Sequence, residues 1–214
     1  MARERISTYE GKHLTITYDR ARCIHAAECG RGSKVLFDVS KDPWCDPDLV
    51  SADEARHIVE RCPSGALSYE AKGDAEAEAV PTTNRVSVNP HGPLYLLGDI
   101  ALETKDGPVK MTRVALCRCG ESAIKPYCDG SHDRAKFRDA GPVNKDPEGD
   151  VPEAGVLVVD PASNGPLLLR GPHTLFAGSG REAQRASKNF LCRCGQSKNK
   201  PYCDGSHKAA GFTG

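Results

Sequence analysis

The chain has 214 residues with 29 Lys plus Arg against 29 Asp plus Glu, so its formal charge is zero and its composition offers no basic surface for nucleic acid. Apolar residues make up 38% and aromatic residues 6%; no stretch approaches the ~20 apolar residues of a membrane span, and the N-terminus leads into no apolar run of the secretory kind. Gly and Pro together are about one residue in six, so a chain rich in turn formers and poor in core formers needs another source of stability, and its ten cysteines are the candidates.

Taken in chain order, Leu14, Ile16 and Tyr18 alternate with Thr15 and Thr17, which predicts a half-buried strand. Ser51-Ala-Asp-Glu54 is a capping box, Ala55, Ile58, Val59 and Cys62 share a helix face behind it, and Pro63 stops the helix. Ala66 to Tyr69 returns as a strand, which makes residues 1–70 an α+β unit of their own. The acidic, Ala-rich stretch 71–84 reads as a linker.

Beyond it the chain repeats itself. Cys117-Arg-Cys-Gly-Glu-Ser-Ala-Ile-Lys-Pro-Tyr-Cys-Asp-Gly-Ser-His132 recurs at an offset of 75 as Cys192-Arg-Cys-Gly-Gln-Ser-Lys-Asn-Lys-Pro-Tyr-Cys-Asp-Gly-Ser-His207. Upstream, Gly92-Pro-Leu-Tyr-Leu-Leu-Gly98 returns at an offset of 73 as Gly165-Pro-Leu-Leu-Leu-Arg-Gly171. Short strands are predicted over 85–89, 94–98 and 114–117, with counterparts over 155–160, 167–170 and 189–192. The first unit spans 85–132 and the second 155–214, joined by a polar linker over 133–154.

Each repeat offers three thiolates and one imidazole in the spacing C-x-C-x8-C-x3-H. Four such donors suit zinc or an iron–sulfur cluster, and without a secretory signal metal binding is a better use of the cysteines than disulfides. The C-x-C pair is tighter than the usual structural zinc spacing, and the Gly, Ser, Lys and Pro loops leave backbone N–H groups free to bond sulfide. A helix starting near Ser131 or Ser206, after a Gly turn, would hold the histidine.

Cys-x-Cys-x2-Ser-x3-Pro-x-Cys-Asp-Gly-Ser-His, present in both copies, resembles the signature of the CDGSH iron–sulfur proteins, the mitoNEET-like family. The resemblance implies a [2Fe-2S] cluster in each repeat. Cys117 and Cys119 would hold the inner iron and Cys128 with His132 the outer one; in the second repeat these become Cys192 and Cys194, then Cys203 with His207. Relatives with one motif form homodimers, so two β-rich units on one chain are expected to pack as an intrachain pseudo-two-fold dimer and leave the protein monomeric. A flexible linker of about twenty residues reaches ~25 Å, enough to fold one unit onto the other.

By formal charge, three thiolates and a neutral imidazole leave the oxidised site at −1, where four thiolates would leave it at −2, so the histidine should raise the potential. Arg118, Arg193, Lys125 and Lys200 would act the same way if they lie nearby; otherwise they are solvated loop charges. Asp129 and Asp204 are expected to cap the turn and the helix start. His13, His25, His57, His91 and His173 sit in no ligand spacing.

Cys23, Cys29 and Cys62-Pro63 resemble the ligands of small single-cluster ferredoxins, and the stretch from about Tyr9 to Tyr69 is similar to the divergent single-cluster domain found beside CDGSH units. Ala26 stands where the middle ligand belongs, so three cysteines fit a [3Fe-4S] cluster, or a [4Fe-4S] cluster with an outside ligand. Cys45 is either that ligand or a buried free thiol. No phosphate loop, catalytic triad or paired carboxylates stand out. The expected function is non-enzymatic: a cytoplasmic electron-transfer protein meeting redox partners or apo-acceptors, with no nucleic acid or membrane. The alternatives are a redox or pH sensor, a cluster donor, or a zinc-stabilised interaction module.

Overall fold

The computed structural model describes residues 5–144 and 151–214. The chain divides into two units, Met1–Ala79 and Val80–Gly214, and both are of mixed α+β kind with strands predominating in the second.

The first unit is a three-stranded antiparallel sheet in the order β1 (Ile6–Glu10), β2 (Leu14–Asp19), β3 (Leu67–Ala71), with short helix α1 (Glu28–Gly32) and helix α2 (Ala52–Glu60). Ser51 Oγ accepts from Glu54 N–H, as the capping box predicts, and Ala55, Ile58 and Val59 are the buried residues of α2. They meet Leu14, Ile16, Leu36, Phe37, Cys45, Leu67 and Tyr69 in one core. Trp44 stacks edge-on against Tyr9 and Tyr18. Residues 72–84 form no helix or strand.

The second unit holds β4 (Arg85–Val88), β5 (Leu94–Leu102), β6 (Val109–Leu116), β7 (Leu157–Pro161), β8 (Leu167–Phe176) and β9 (Glu182–Leu191), with one-turn helices α3 (Ser131–Arg134) and α4 (Ser206–Ala209). Within each repeat the three strands run antiparallel, β4-β5-β6 and β7-β8-β9. Between repeats the pairing is parallel: β4 with β8, Val86 opposite Leu175, and β5 with β7, Leu102 opposite Val159. At the repeat offset of 73, Val86 corresponds to Val159 and Leu102 to Leu175, so these two crossings are one crossing made twice. The pairings close a circuit β4–β5–β7–β8–β4, which leaves those strands without open edges. Leu94, Leu96, Ile100, Leu102, Leu167, Leu169 and Leu175 face inward and are at most 1% exposed.

Two parts of this unit depart from the sequence expectation. Strand β9 extends well upstream of 189–192 through polar Glu182, Gln184, Arg185 and Ser187, because its inward positions bond one another instead of packing as hydrocarbon. Residues 133–144 of the predicted linker are packed chain. Val143 joins the core, and Phe137 lies under the Arg118 guanidinium, 4.9 Å from it. The Gly141 carbonyl accepts from Gly178 N–H. Linker residues 145–150 lie outside the described residues.

The polar interior of β9 belongs to the second repeat alone. His173 Nδ1 donates to the Gly171 carbonyl at 2.8 Å, so its Nε2 accepts from Asn189 Nδ2 at 2.9 Å. Asn189 also reaches Gln184 Oε1, which accepts from the Tyr202 hydroxyl at 2.8 Å. By strand register the first-repeat counterparts of His173, Gln184 and Asn189 are Ile100, Val109 and Val114. Asn189→Val removes the donor to a fully buried imidazole and is expected to cost about 1–3 kcal/mol of stability. Denaturant unfolding checks it; an unchanged midpoint would show that the network stabilises nothing.

Candidate metal centre

Each motif is held by its own strand. Cys117 follows β6, and its N–H donates to the Pro126 carbonyl while Cys128 N–H donates to that of Ala115, so the loop between the cysteines closes on itself. Cys192 and Cys203 repeat this with Pro201 and Phe190. Ser122 Oγ and Ser197 Oγ brace the loops from inside through the carbonyls of Tyr127 and Tyr202. Asp129 accepts from Ala123 N–H and Ser131 N–H, both at 2.9 Å, and so ties the turn to the loop. Asp204 does the same with Lys198 and Ser206, and the Ser206 hydroxyl together with these N–H groups holds its carboxyl well below the usual range. Burial opposes the charge on Asp129, yet the N–H groups of Ala123 and Ser131 keep that carboxyl low as well.

Gly130 and Gly205 take left-handed conformations, φ 82° and 87°, that turn the chain into α3 and α4. Each helix aims a histidine back at the third cysteine. His132 Nδ1 lies 3.5 Å from Cys128 Sγ, and His207 Nδ1 lies 3.4 Å from Cys203 Sγ. The other donors form a second pair: Cys117 Sγ is 3.8 Å from Cys119 Sγ, and Cys192 Sγ is 3.6 Å from Cys194 Sγ. Two bonds of about 2.3 Å to one tetrahedral metal span about 3.8 Å, and one to sulfur with one to nitrogen spans about 3.5 Å. Every pair therefore has the length of one tetrahedral edge. Among the described residues no three Cys, His, Asp or Glu side chains converge on a single point as a one-metal site requires.

The donors differ in exposure. Cys117, Cys119, Cys192 and Cys194 are buried, whereas the His132 side chain is 15% exposed and Cys203 is half-buried. Backbone N–H groups of Glu121, Gly130, Gln196 and Gly205 point at Cys119, Cys128, Cys194 and Cys203 sulfurs at 3.4–3.5 Å. The Cys119 thiol stabilises its neighbour's anion and pulls Cys117 down to about 6. Cys119 itself rises, through that same bond and through burial. Burial pushes Cys128 up to about 11 and raises Cys194. Ionising all the thiols of a repeat therefore needs added positive charge, which a metal supplies, so the donor set fits such a group.

The arginines between the paired cysteines are not solvated loop charges: Arg118 is 1% exposed and Arg193 2%. Lys125 and Lys200 reach back to the carbonyls of Ser122 and Ser197. Tyr202 is buried in the core and Tyr127 packs against it.

In the first unit, Cys23 closes a short turn after β2, Cys29 lies in α1 and Cys62 follows α2. Cys29 feels the charge of both Cys23 and Cys62, and burial raises its thiol. Cys23 Sγ lies 4.0 Å from His25 Nδ1, and Cys62 Sγ lies 3.6 Å from Ser64 Oγ. Cys45 is different: 1% exposed, packed with Leu36 and Phe37, its thiol pushed up to about 12 by burial. Cys45→Ala is expected to leave iron content unchanged while lowering stability by about 1 kcal/mol. Loss of iron from that variant would make Cys45 a ligand.

Comparison with known proteins matches the same two regions. Residues 9–72 match the family model described as "Divergent 4Fe-4S mono-cluster", and residues 91–133 and 164–208 both match "Iron-binding zinc finger CDGSH type". The chain is 36% identical over 64 residues to the "Uncharacterized protein YjdI" of Escherichia coli K12 and to its namesake in Escherichia coli O157:H7; the match covers 30% of this chain and 84% of each relative. This chain is a CDGSH iron–sulfur protein. It carries tandem CDGSH repeats behind a divergent mono-cluster ferredoxin-like domain, and the cysteine–histidine pairs above fall inside the matched repeats. No solved structure matches the chain. No helix among the described residues is long and apolar enough to cross a membrane.

Proposed function

We propose that the CDGSH repeats hold two [2Fe-2S] clusters through Cys3His sites and that the protein transfers electrons and turns over no substrate. The carrying observation is that each repeat presents its four donors as two tetrahedral edges that do not meet at one point, which suits two metals better than one zinc. Such a centre, when bound, accepts and returns one electron. Cys117 with Cys119, and Cys192 with Cys194, are the inner ligands; Cys128 with His132, and Cys203 with His207, are the outer ones. The protein's part is to keep water from the inner pair and to direct N–H groups at the sulfurs, which favours the added negative charge. Cys23, Cys29 and Cys62 are assigned to a third, ferredoxin-type centre.

The reciprocal crossing of β4 with β8 and β5 with β7 supports an intrachain pseudo-two-fold arrangement and a monomer. Light scattering checks the monomer; a mass of two chains that survives dilution refutes it. The partly exposed His132 and Cys203 also favour a second reading, release of the cluster to an apo-acceptor or in response to acid. The visible absorption spectrum with iron and sulfide counts tests the main proposal: colour and four irons with four sulfides in the repeats are expected, and colourless zinc-loaded protein refutes it. Transfer to an apo-acceptor faster than electron exchange would favour the second reading.

A further inference from the structure

The two Cys-x-Cys loops touch. Cys119 and Cys194 pair as an isolated antiparallel bridge. Gly120 and Gly195 permit the approach: both have positive φ, 89° and 77°, and a Cβ on either would strike the backbone carbonyl of Cys194 or Cys119. The residue between the paired cysteines is a buried arginine in both loops, anchored by its own repeat. Arg118 Nε donates to the Gly92 carbonyl at 2.9 Å and Nη2 to that of Asn89 at 2.7 Å, and the guanidinium is ion-paired with Asp139. Arg193 repeats the pattern at the same offsets, with Gly165 at 2.8 Å and Ala162, and lies over Phe212 as Arg118 lies over Phe137.

Where Arg118 has Asp139, Arg193 has the main-chain oxygen of Gly214 at 2.8 Å. Arg193 is buried, and it feels the charge of Cys117 in the other repeat as well as that of Cys194 in its own loop. Arg118 likewise feels Cys192 across the boundary as well as Cys119. The lysines cross in the same sense: Lys125 Nζ lies 5.8 Å from the Phe212 ring and Lys200 Nζ 6.0 Å from the Phe137 ring. A buried guanidinium needs counter-charge, and the thiolates of both loops add to what its other partners provide.

We propose, resting on the two-cluster reading above, that Arg193 and Arg118 carry positive charge across the repeat boundary and make the two sites one coupled pair, each arginine raising the electron affinity of the opposite site. Each site takes one electron, passing from a formal −1 to −2, with the guanidinium protonated throughout and no bond made or broken. The first electron repels the second, so the sites fill at different potentials.

The test is a mediated potentiometric titration of the full-length, cluster-loaded chain followed by electron paramagnetic resonance. His132→Cys marks the first site, because an all-cysteine centre has its own signal and midpoint. In that background Arg193→Met is expected to make the first site at least tenfold harder to reduce, a downward shift of 59 mV for one electron, and Arg193→Lys to restore most of it. Arg118→Met should move the second site in the same sense. A first-site midpoint that stays in place in an iron-replete Arg193→Met chain overturns the proposal. If that variant loses iron, Cys203→Ala decides: emptying the second site without touching either arginine should raise the first midpoint, and no change overturns the coupling. A parent that takes up fewer than two electrons in its repeats refutes the two-cluster reading itself, before any variant is made.

Discussion

Cys203→Ala protein, purified without added metal, is expected to carry two fewer irons and two fewer sulfides per chain than its parent, with the visible spectrum of the first repeat intact. On the proposed ligation Cys203 is one of two donors on the outer edge of its site, and its loss would leave His207 to hold the outer iron alone. The motif loop does not depend on that thiol. The Cys203 N–H to Phe190 bond, the Ser197 brace and the Asp204 bonds are all made without the sulfur, so an empty second repeat keeps its loop. Cys128→Ala should do the same to the first repeat, and the double variant should retain only the iron held by the first unit. Equal losses from the two single variants establish equivalent sites. Loss of all four irons from either would mean that the repeats load as one, and no loss would mean that Cys203 is not a ligand.

Replacing His132 and His207 together by cysteine should lower both midpoints by on the order of 100 mV and extend the survival of colour toward acid. The first effect follows from charge: each site goes from −1 to −2 before reduction, so the electron enters against one more negative charge. The second follows from competition. A proton would take the lone pair that the imidazole would give to iron, so acid should detach the histidine first, and the His132 side chain is 15% exposed where the three cysteines of its repeat are buried. The sign is a loss of colour as pH falls in the parent, displaced to lower pH in the variants. Potentiometry reads the first effect and the decay of visible absorbance after a pH jump reads the second. Bleaching at the same pH in parent and variants would remove the histidines from control of release.

What was legible in the sequence is what short spacing settles. Cys128 and His132 are four residues apart with a glycine between them, and a left-handed turn followed by one helical turn brings them together whatever surrounds them. Cys117 and Cys119 are neighbours of neighbours, and Ser51 meets Glu54 within one turn. The repeat itself places these contacts twice. The single-cluster resemblance likewise separated Cys23, Cys29 and Cys62 from Cys45, which the structure places in the core of the first unit.

The tertiary structure decided whatever depends on residues far apart in the chain. No local pattern tells Val86 to lie beside Leu175, or Leu102 beside Val159; an apolar strand has two sides and will pair with any neighbour that covers it. Strand β9 escaped its polar sequence because His173, Gln184, Asn189 and Tyr202 satisfy one another only after β8, β9 and the second motif have met. Phe137 and Asp139, in a stretch that reads as linker, become packed because Arg118 needs a ring beneath it and a carboxylate beside it. Arg118 and Arg193 are charged residues in glycine-bearing loops, for which the sequence alone favours neither solvent nor interior. Their burial exists because distant segments of each repeat close over them, since a guanidinium leaves water only where carbonyls and counter-charges replace its hydration.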